Sequence, residues 1–430
     1  MSTKELNIAI AGLGTVGVGV VKILQTQAEL IENRTSSKVN IVAVSARSQK
    51  DRGVNLDGIK WYDNAVDIAE DENVDTVVEL IGGDSGTAYD LCINSIKNGK
   101  NFVTANKALV AKHGKEIASL AEENDVYVAY EAAVAGGIPI IKALKEGLAG
   151  NKISKISGIL NGTCNYMLTA MKETGRDFAQ ILKEAQELGY AEADPSFDVG
   201  GIDAAHKLAI LTSLAFGVQV EFDKVFIEGI ENIALTDVKY AEDLGYKIKL
   251  LGLCSISEDG RVNQRVCPCM ISSKYPVANV DGVDNAVYVE GDAVGKIVLQ
   301  GPGAGQGPTA SAVVADIADI AAGRFSPVFN VNVDKLAKAD FISMNEYEGR
   351  YYIRIRVEDK PGVLAAVSDV LLYEGISVDS ILQKSVSIGD NPDIVVVTHK
   401  TFEKSITKAV EKIEKQDSVI EKPYVIRIEG

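Results

Sequence analysis

The stretch LNIAIAGLGTVG, residues 6–17, decides the fold of this chain. A short apolar strand over residues 6–11 runs directly into three glycines spaced G-x-G-x-x-G. In this pattern Gly12 makes the tight turn, Gly14 lets the backbone approach a pyrophosphate, and Gly17 allows close packing of helix on strand. The pattern lies between a predicted strand and a predicted helix, so it indicates a dinucleotide-binding loop with the phosphates at the helix N-terminus.

The sequence around this loop alternates strands and helices. A helical periodicity covers residues 15–31, and further strands are predicted at residues 39–45, 74–80, 101–104 and 126–130. Alternation of this kind is typical of a parallel sheet covered by helices. We therefore expect an α/β Rossmann-type NAD(P)-binding domain over residues 1–150.

From residue 151 the pattern changes to that of an α+β domain, predicted over residues 151–304 and assigned to substrate binding and dimerisation. A glycine-rich loop at residues 301–307 then opens a helix over about 308–322. We expect the segment near 305–325 to return to the first domain and complete it. Residues 326–349 are interpreted as a linker.

The last 80 residues, 350–430, show a β-α-β-β-α-β order that is typical of a ferredoxin-like unit. The predicted strands and helices lie, in chain order, at residues 351–357, 363–373, 377–383, 393–399, 402–413 and 419–429.

Composition excludes several classes of protein. The net charge of -16 disfavours nucleic acid and anionic membranes as partners, and no apolar run reaches the ~20 residues of a membrane span. Five cysteines are too few for a disulfide scaffold, and three scattered histidines disfavour a histidine metal site or a Ser-His-Asp triad. The N-terminus has no signal-peptide pattern, so we expect a cytoplasmic protein.

The end of the second strand bears on the choice of cofactor. NAD-selective folds usually place an acidic residue there, whereas this chain has none between Asn33 and Lys50 and carries Ser45 and Arg47 instead. A cation suits a ribose 2′-phosphate, so the sequence favours NADP over NAD. The alternative interpretation is that Arg47 is a solvated loop residue with no role in cofactor binding.

Two segments carry polar side chains at positions where a hydrophobic core would not accept them. Thr104 and Lys107 follow the fourth strand, at the sheet edge where ligands bind in such folds. The stretch GYAEADPSFDVGGIDAAHK, residues 189–207, holds several carboxylates, and Asp203 and Lys207 share a helix face. Hydride transfer to a carbonyl needs a proton donor, which a buried lysine can be, and an α-ammonium substrate needs carboxylates. A surface lysine and a solvated acidic loop are the alternatives.

Seven ordered motifs together resemble the homoserine dehydrogenase family, over nearly the whole chain. They are GLGTVG at 12–17, TANK at 104–107, EAAVAGGIP at 131–139, NGT at 161–163, LGYAEADP at 188–195, D-x3-K at 203–207 and GPGAGQGPTA at 301–310. The resemblance implies reversible NAD(P)-dependent interconversion of L-homoserine and L-aspartate 4-semialdehyde, on the route to threonine, isoleucine and methionine. Two alternatives stay open: a non-catalytic amino-acid-sensing regulator, and a dehydrogenase of another amino-acid semialdehyde.

The resemblance also implies residue roles. Lys207 is expected to give and take the proton at the alcohol oxygen, and Lys107 to contact cofactor and orient the reacting group. Glu192 and Asp203 are expected to bind substrate, with Asp198 a weaker candidate. The expected cofactor contacts are Gly12, Gly14, Thr15, Val16, Gly17, Arg47, Thr104, Lys107, Gly189 and Gly305.

The resemblance further implies a monovalent cation, usually sodium, near the domain hinge. The matching positions are Glu131, Val134, Gly136 and Ile138. His206, which precedes Lys207, is expected to be partly buried or solvated and to have no catalytic role.

Residues 350–430 resemble an ACT domain, carried by VEDKPGVL at 357–364. Gly362 allows a tight strand-to-helix turn, and the helix start can receive a ligand carboxylate. ACT domains usually pair side by side, which implies a homodimer or tetramer. We expect this domain to bind an amino-acid effector, with threonine as the first candidate and isoleucine and methionine as alternatives. The other interpretation is that the domain serves only in assembly and binds no ligand.

Overall fold

The computed structural model describes residues 4–383 and 391–429. Its first sheet is fully parallel and has six strands in the order β3-β2-β1-β4-β5-β6. This is the strand order of dinucleotide-binding folds, in which ligands bind beyond the carboxyl ends of the strands. The strands are β1 (Lys4–Ala11), β2 (Ser37–Ser45), β3 (Lys60–Tyr62), β4 (Thr76–Glu79), β5 (Asn101–Thr104) and β6 (Val128–Ala129).

Five helices accompany this sheet, and one departs from the sequence prediction. The prediction of one continuous helix over residues 15–31 is wrong, because the first helix ends before Gln27 and a second helix begins after it. Strand β3 was also not predicted, since its three residues carry no readable alternation. The helices are α1 (Thr15–Thr26), α2 (Ala28–Thr35), α3 (Thr87–Lys97), α4 (Lys107–Glu123) and the short α5 (Ile140–Lys142).

The second domain has a largely antiparallel sheet, and helices pack against this sheet. Its strands are β7 (Ile153–Ile159), β8 (Phe226–Ile227), β9 (Tyr246–Ile256), β10 (Val262–Ser272), β11 (Asp284–Gly291) and β12 (Gly295–Pro302). The two-residue β8 adds to the sheet in parallel with β10. Its helices are α6 (Gly162–Thr174), α7 (Phe178–Glu187), α8 (Ser196–Val199), α9 (Ile202–Phe216) and α10 (Leu235–Asp243). Helix α9 is buried along nearly its whole length, so it is the central helix of this domain.

The chain then returns to the first domain through helix α11 (Gln306–Ala322). Its packing against α1 is close enough that a Cβ on Gly19 would lie 2.8 Å from Gln306 Cγ and 2.9 Å from Ala310 Cβ. Residues 326–349 follow and are packed onto the protein: Val328 and Phe329 are buried, and Ala337 bridges to Val218.

The C-terminal unit consists of β13 (Glu348–Arg356), α12 (Val363–Tyr373), β14 (Val378–Gln383), β15 (Asp393–Thr398), β16 (Thr401–Phe402), α13 (Glu403–Ile413) and β17 (Tyr424–Glu429). Apart from the two-residue β16, this is the predicted β-α-β-β-α-β order, and the ferredoxin-like fold is confirmed. Strand β17 also pairs in parallel with β10, with Cys269 opposite Arg427. The two sheets thus join into one of eleven strands. No helix among the described residues is long and apolar enough to cross a membrane.

Candidate active site

The glycine loop after β1 has the geometry that a dinucleotide needs. Gly12 has φ of +107°, and a Cβ there would lie 2.5 Å from Leu80 O. A Cβ on Gly17 would lie 1.9 Å from Gly12 O, so both positions exclude any side chain. Gly14, at the start of α1, has no neighbour within 4 Å of such a Cβ. The loop therefore leaves open space where a pyrophosphate would approach.

Two arginines lie beyond the end of β2. Arg47 is exposed and makes no ion pair with any described residue, whereas Arg52 donates from Nε to Leu13 O at 3.0 Å. The guanidinium of Arg52 also lies 5.8 Å from the centroid of the Trp61 ring. Arg52 thus links the glycine loop to β3, a contact that could not be predicted because β3 itself was not predicted.

A buried network joins the carboxyl ends of β4 and β5. Thr104 Oγ1 donates to Glu79 Oε2 at 2.6 Å, and Glu79 Oε1 accepts from Ile81 N and Gly82 N at 2.6 and 2.8 Å. Asn106 caps α4 by accepting from the Leu109 amide at 3.2 Å. This network holds Lys107 at the first position of α4. Sequence reasoning missed Glu79, although a carboxylate that ends a buried apolar strand is a readable signal.

Lys107 and Lys207 come from different domains and meet at one carboxylate. Lys107 Nζ lies 2.9 Å from Asp203 Oδ1, and Lys207 Nζ lies 2.7 Å from Asp203 Oδ2. Lys207 Nζ also donates to Leu160 O at 2.7 Å. The i, i+4 spacing on α9 places Asp203 and Lys207 on one face, as the sequence predicts.

The electrostatics of this cluster follow from its burial. Burial lowers the pKa of the Lys207 ammonium, and Lys107 acts in the same direction while Asp203 opposes it. Burial would also lower the pKa of Lys107, but its contact with Asp203 outweighs burial and raises it. Burial opposes ionisation of Asp203, yet the two lysines hold the pKa of its carboxyl below the usual range. Of the two ammonium groups, that of Lys207 is thus the one that loses its proton more readily.

Asn161 connects Asp203 to Asp198. Its Nδ2 donates to Asp203 Oδ2 at 2.9 Å and to Asp198 Oδ1 at 2.7 Å, while its Oδ1 caps α6. Burial raises the pKa of Asp198. The NGT motif pointed to this segment, but no role for Asn161 could be predicted, because its partners lie 37 and 42 residues away.

The rest of the acidic loop lies at the rim of the cluster. Glu192 and Gly189 are exposed, and Gly189 has φ of +75°. The loop is tied to α6 by Thr163 Oγ1, which donates to Tyr190 O at 2.7 Å. Phe197 covers Lys107, with Nζ 5.7 Å from the ring centroid. The structure therefore brings Asp198, Asp203 and both lysines together and leaves Glu192 facing solvent.

His206 lies off the Lys207 side of α9 and is buried, whereas partial burial or solvation was expected. Its ring stacks on Phe222 at 4.1 Å between centroids, with Phe197 on another side at 5.8 Å. Burial lowers its pKa, and its Nδ1 lies 3.1 Å from Ile202 O. It packs α9 and does not reach the lysines through any described contact.

Gly305, another glycine expected near the cofactor, directly precedes α11 and has φ of +117°. The next residue, Gln306, donates from Nε2 to Thr15 O at 3.0 Å. The start of α11 therefore lies beside the start of α1, where Thr15 and Val16 are located.

The hinge segment expected to hold a cation is tightly ordered around Glu131. The buried carboxylate accepts from Ile141 N at 2.9 Å and Lys142 N at 2.8 Å. Burial and the neighbouring Asp316 raise the pKa of Glu131 to about 7. Among the described residues, no three His, Cys, Asp or Glu side chains group as a metal site. A cation here would therefore depend on backbone oxygens in addition to Glu131.

The other three positions of that segment form a sharp turn. Ala135 and Gly136 both have positive φ, 57° and 53°, and a Cβ on Gly136 would lie 2.3 Å from Gly303 O. Val134 and Ile138, on either side of the turn, are fully buried. A buried turn rich in carbonyl oxygens beside a carboxylate has the hard-oxygen donors that suit an alkali cation.

Family models match the chain in three successive segments. The model for the homoserine dehydrogenase NAD-binding domain matches residues 12–131, that for homoserine dehydrogenase matches 139–318, and that for the ACT domain matches 351–417.

Individual relatives extend the match to full length. A homoserine dehydrogenase from Pseudomonas aeruginosa is 45% identical over 433 residues, with 99% of each chain covered. The crystal structure of a homoserine dehydrogenase from Thiobacillus denitrificans superposes with a TM-score of 0.91 at 44% identity, covering 99% of this chain and 98% of that one. A hyperthermophilic archaeal homoserine dehydrogenase, solved in complex with NADPH, gives 0.63 at 27% identity over 75% and 99% of the two chains. With these matches and a lysine–carboxylate cluster at the sheet edge, the chain belongs to the homoserine dehydrogenase family.

Proposed function

We propose that Lys207 carries the proton in the reversible interconversion of L-homoserine and L-aspartate 4-semialdehyde. The observation that supports this role is the burial of its ammonium between Asp203 Oδ2 and Leu160 O, next to a second lysine. The nicotinamide, when bound, supplies the hydride that adds to the aldehyde carbon. The protonated Lys207 then gives a proton to the aldehyde oxygen, and in the reverse direction neutral Lys207 removes the hydroxyl proton.

Lys107 and the carboxylates position the reactants in this proposal. Lys107 begins α4 at the sheet edge, so it can contact the cofactor and orient the reacting oxygen. Asp203 binds substrate together with Glu192, and Asp198 adds charge beside Asn161. Two or three carboxylates near two lysines suit a zwitterionic substrate, whose ammonium and carboxylate need opposite charges.

We propose NADP as the preferred cofactor, bound by the glycine loop, Thr15, Val16 and Thr104, with Gly189 and Gly305 approaching it. Arg47 supports the choice because it is exposed beyond β2 and makes no ion pair with any described residue. The archaeal relative solved with NADPH is consistent with it. NAD is the alternative.

We propose that the turn at Val134, Gly136 and Ile138, with Glu131, binds sodium and so fixes the hinge between the first two domains. We also propose the domain division expected from the sequence: residues 1–150 with a returning segment near 305–325, then 151–304, 326–349 and 350–430. The five cysteines are free thiols, which fits a cytoplasmic location.

The ACT domain is proposed to bind threonine as a feedback effector, with isoleucine and methionine as alternatives, and to assemble the chain into a dimer or tetramer. We accordingly propose that the enzyme acts in threonine, isoleucine and methionine biosynthesis.

Substrate analogues test the proposed reaction directly. L-homoserine should reduce NADP, whereas 4-hydroxybutanoate, which lacks the α-ammonium, should not be turned over at the same concentration. Equal turnover of both would show that the carboxylates do not recognise an ammonium and would favour a different semialdehyde. A lack of turnover with either cofactor and sodium would favour the non-catalytic regulator.

A further inference from the structure

A cleft of about 600 Å³ lies inside each chain, where the ACT domain meets the catalytic domain. One wall is formed by α13 and β17 of the ACT domain, and the other by the segment around Glu228 and Asn232. The cleft is therefore lined by residues of a single chain. Its volume is ample for a single amino acid.

The lining of the cleft has both charges and an apolar floor. Among the described residues, Lys422 and Glu411 make no ion pair, although both line the cleft. Ile406 and Val410 add buried aliphatic surface. A cation, a carboxylate and an apolar floor match a zwitterion with a short aliphatic side chain.

The same cleft is connected to the active site through Arg427 and Glu228. Arg427, on β17, donates to Glu228 Oε2 at 2.6 Å and also pairs with Glu403 of α13. Glu228 is fixed to the catalytic sheet, since its amide donates to Val266 O at 2.8 Å. The ion pair thus spans the two domains at the wall of the cleft.

The segment after Glu228 packs directly under the catalytic carboxylates. Ile230 N donates to Val199 O at 2.9 Å, and a Cβ on Gly229 would lie 2.4 Å from that same oxygen. Val199 lies between Asp198 and Asp203, so a shift of the Glu228 segment moves the backbone that holds both. Because these contacts are close-packed, the segment after Glu228 cannot move without moving the backbone that leads into α9.

We propose that this intrachain cleft binds a small aliphatic α-amino acid, and that its occupancy changes the Arg427–Glu228 contact and thereby the placement of Asp198 and Asp203. Lys422 takes the ligand carboxylate, Glu411 its ammonium, and Ile406 and Val410 its side chain. The inference deepens the proposed feedback regulation and rests on it only for the effect on turnover. Binding itself is measured without catalysis.

The test uses the full-length chain and one pair of matched variants. Thr407 lines the cleft from α13, whereas its neighbour Lys408 is not among the lining residues and both are exposed. Thr407→Trp places an indole in the cleft, and Lys408→Trp adds the same ring on the same helix outside it. Titration calorimetry with L-threonine, L-isoleucine and L-methionine is run on both variants and the wild type, with thermal melts to confirm folding.

The expected result is that one amino acid binds the wild type and Lys408→Trp alike, and binds Thr407→Trp at least about tenfold more weakly. That amino acid should also raise the KM for L-homoserine in the wild type and not in Thr407→Trp. Unchanged binding in Thr407→Trp, equal loss in both variants, or no binding of any of the three to the wild type would overturn the site. Loss of binding in Leu364→Arg, on exposed α12, with full binding in Thr407→Trp, would place the site on the α12 face instead.

Binding without any change in KM or kcat would overturn the coupling to Asp198 and Asp203. Because calorimetry does not depend on turnover, a chain that binds an amino acid yet fails to oxidise L-homoserine would contradict the proposed reaction and leave this site standing.

Discussion

Lys107 of the nucleotide-binding domain lies 2.9 Å from Asp203 of the catalytic domain, so one ion pair closes the active site across the domain boundary. Asp203 is buried and Lys107 is partly buried, so water weakens the attraction between their charges less than it would at the surface. Lys207 binds the other oxygen of the same carboxylate. Asp203 therefore holds a domain contact and the lysine proposed to carry the proton, and changes to Asp203 should affect both.

The first prediction concerns the pH dependence of Asp203→Asn. Asp203 raises the pKa of Lys207 against the lowering effects of burial and Lys107. Without that charge the pKa of Lys207 falls further, and L-homoserine oxidation needs the neutral lysine. The rising limb of kcat/KM against pH should therefore move to lower pH, along with an overall loss of rate. The control is Asp194→Asn, an exposed carboxylate of the same loop; a profile that does not move in Asp203→Asn would refute the assigned coupling.

The glycine loop allows the effect on cofactor binding to be separated from the effect on folding. Gly14→Ala has open space for its methyl group, so thermal stability should hold while the KM for NADPH rises about tenfold or more. Gly17→Ala forces a methyl group onto Gly12 O, so the free energy of unfolding should fall by about 1–3 kcal/mol. Melting curves and cofactor titrations of the two variants check this. Equal melting temperatures would contradict the close packing assigned to Gly17, and unchanged NADPH affinity in Gly14→Ala would mean that the loop does not bind the cofactor.

Sodium should stabilise the protein through Glu131. At pH 8 the Glu131 carboxyl, with a pKa of about 7, is mostly ionised and able to bind a cation. Sodium chloride should therefore raise the melting temperature more than choline chloride does, as expected for a ligand that binds only the folded state. The difference should vanish in Glu131→Gln and persist in Glu146→Gln, an exposed carboxylate of the following turn. A sodium effect that survives in Glu131→Gln would place the ion elsewhere.

Cofactor choice should depend on Arg47. Arg47→Ala is expected to lower kcat/KM for NADPH by roughly tenfold and leave that for NADH unchanged, since one charge-assisted contact to phosphate is worth about 1.5–3 kcal/mol at most. Arg34→Ala, an exposed arginine of α2, serves as the matched control. A strong NADH preference in the wild type would contradict the NADP proposal outright.

The parts of the fold and of the site that could be predicted from the sequence are those that depend on nearby residues. The glycine loop and the Asp203–Lys207 spacing were predictable because each depends on neighbours within a few positions. The α/β, α+β and ferredoxin-like fold classes and the family were predictable for the same reason, from local motifs in a fixed order. The family matches confirm them.

The residues that were missed depend on distant partners. Asn161 binds carboxylates that only the folded chain brings near, and Arg52 depends on the unpredicted β3. The parallel pairing of β10 with β17 joins residues more than 150 positions apart, and nothing in either strand signals it. The break at Gln27 was missed because the apolar periodicity continues across it into α2.

The most direct test of the central claim is absorbance at 340 nm for wild type and Lys207→Ala with L-homoserine and NADP, with exposed Lys115→Ala as control. If Lys207 carries the proton, the wild type and Lys115→Ala form NADPH only when L-homoserine is added, and Lys207→Ala loses about 100- to 10,000-fold in kcat. Wild-type rates in Lys207→Ala would contradict the assignment and move the proton transfer to another group, Lys107 first.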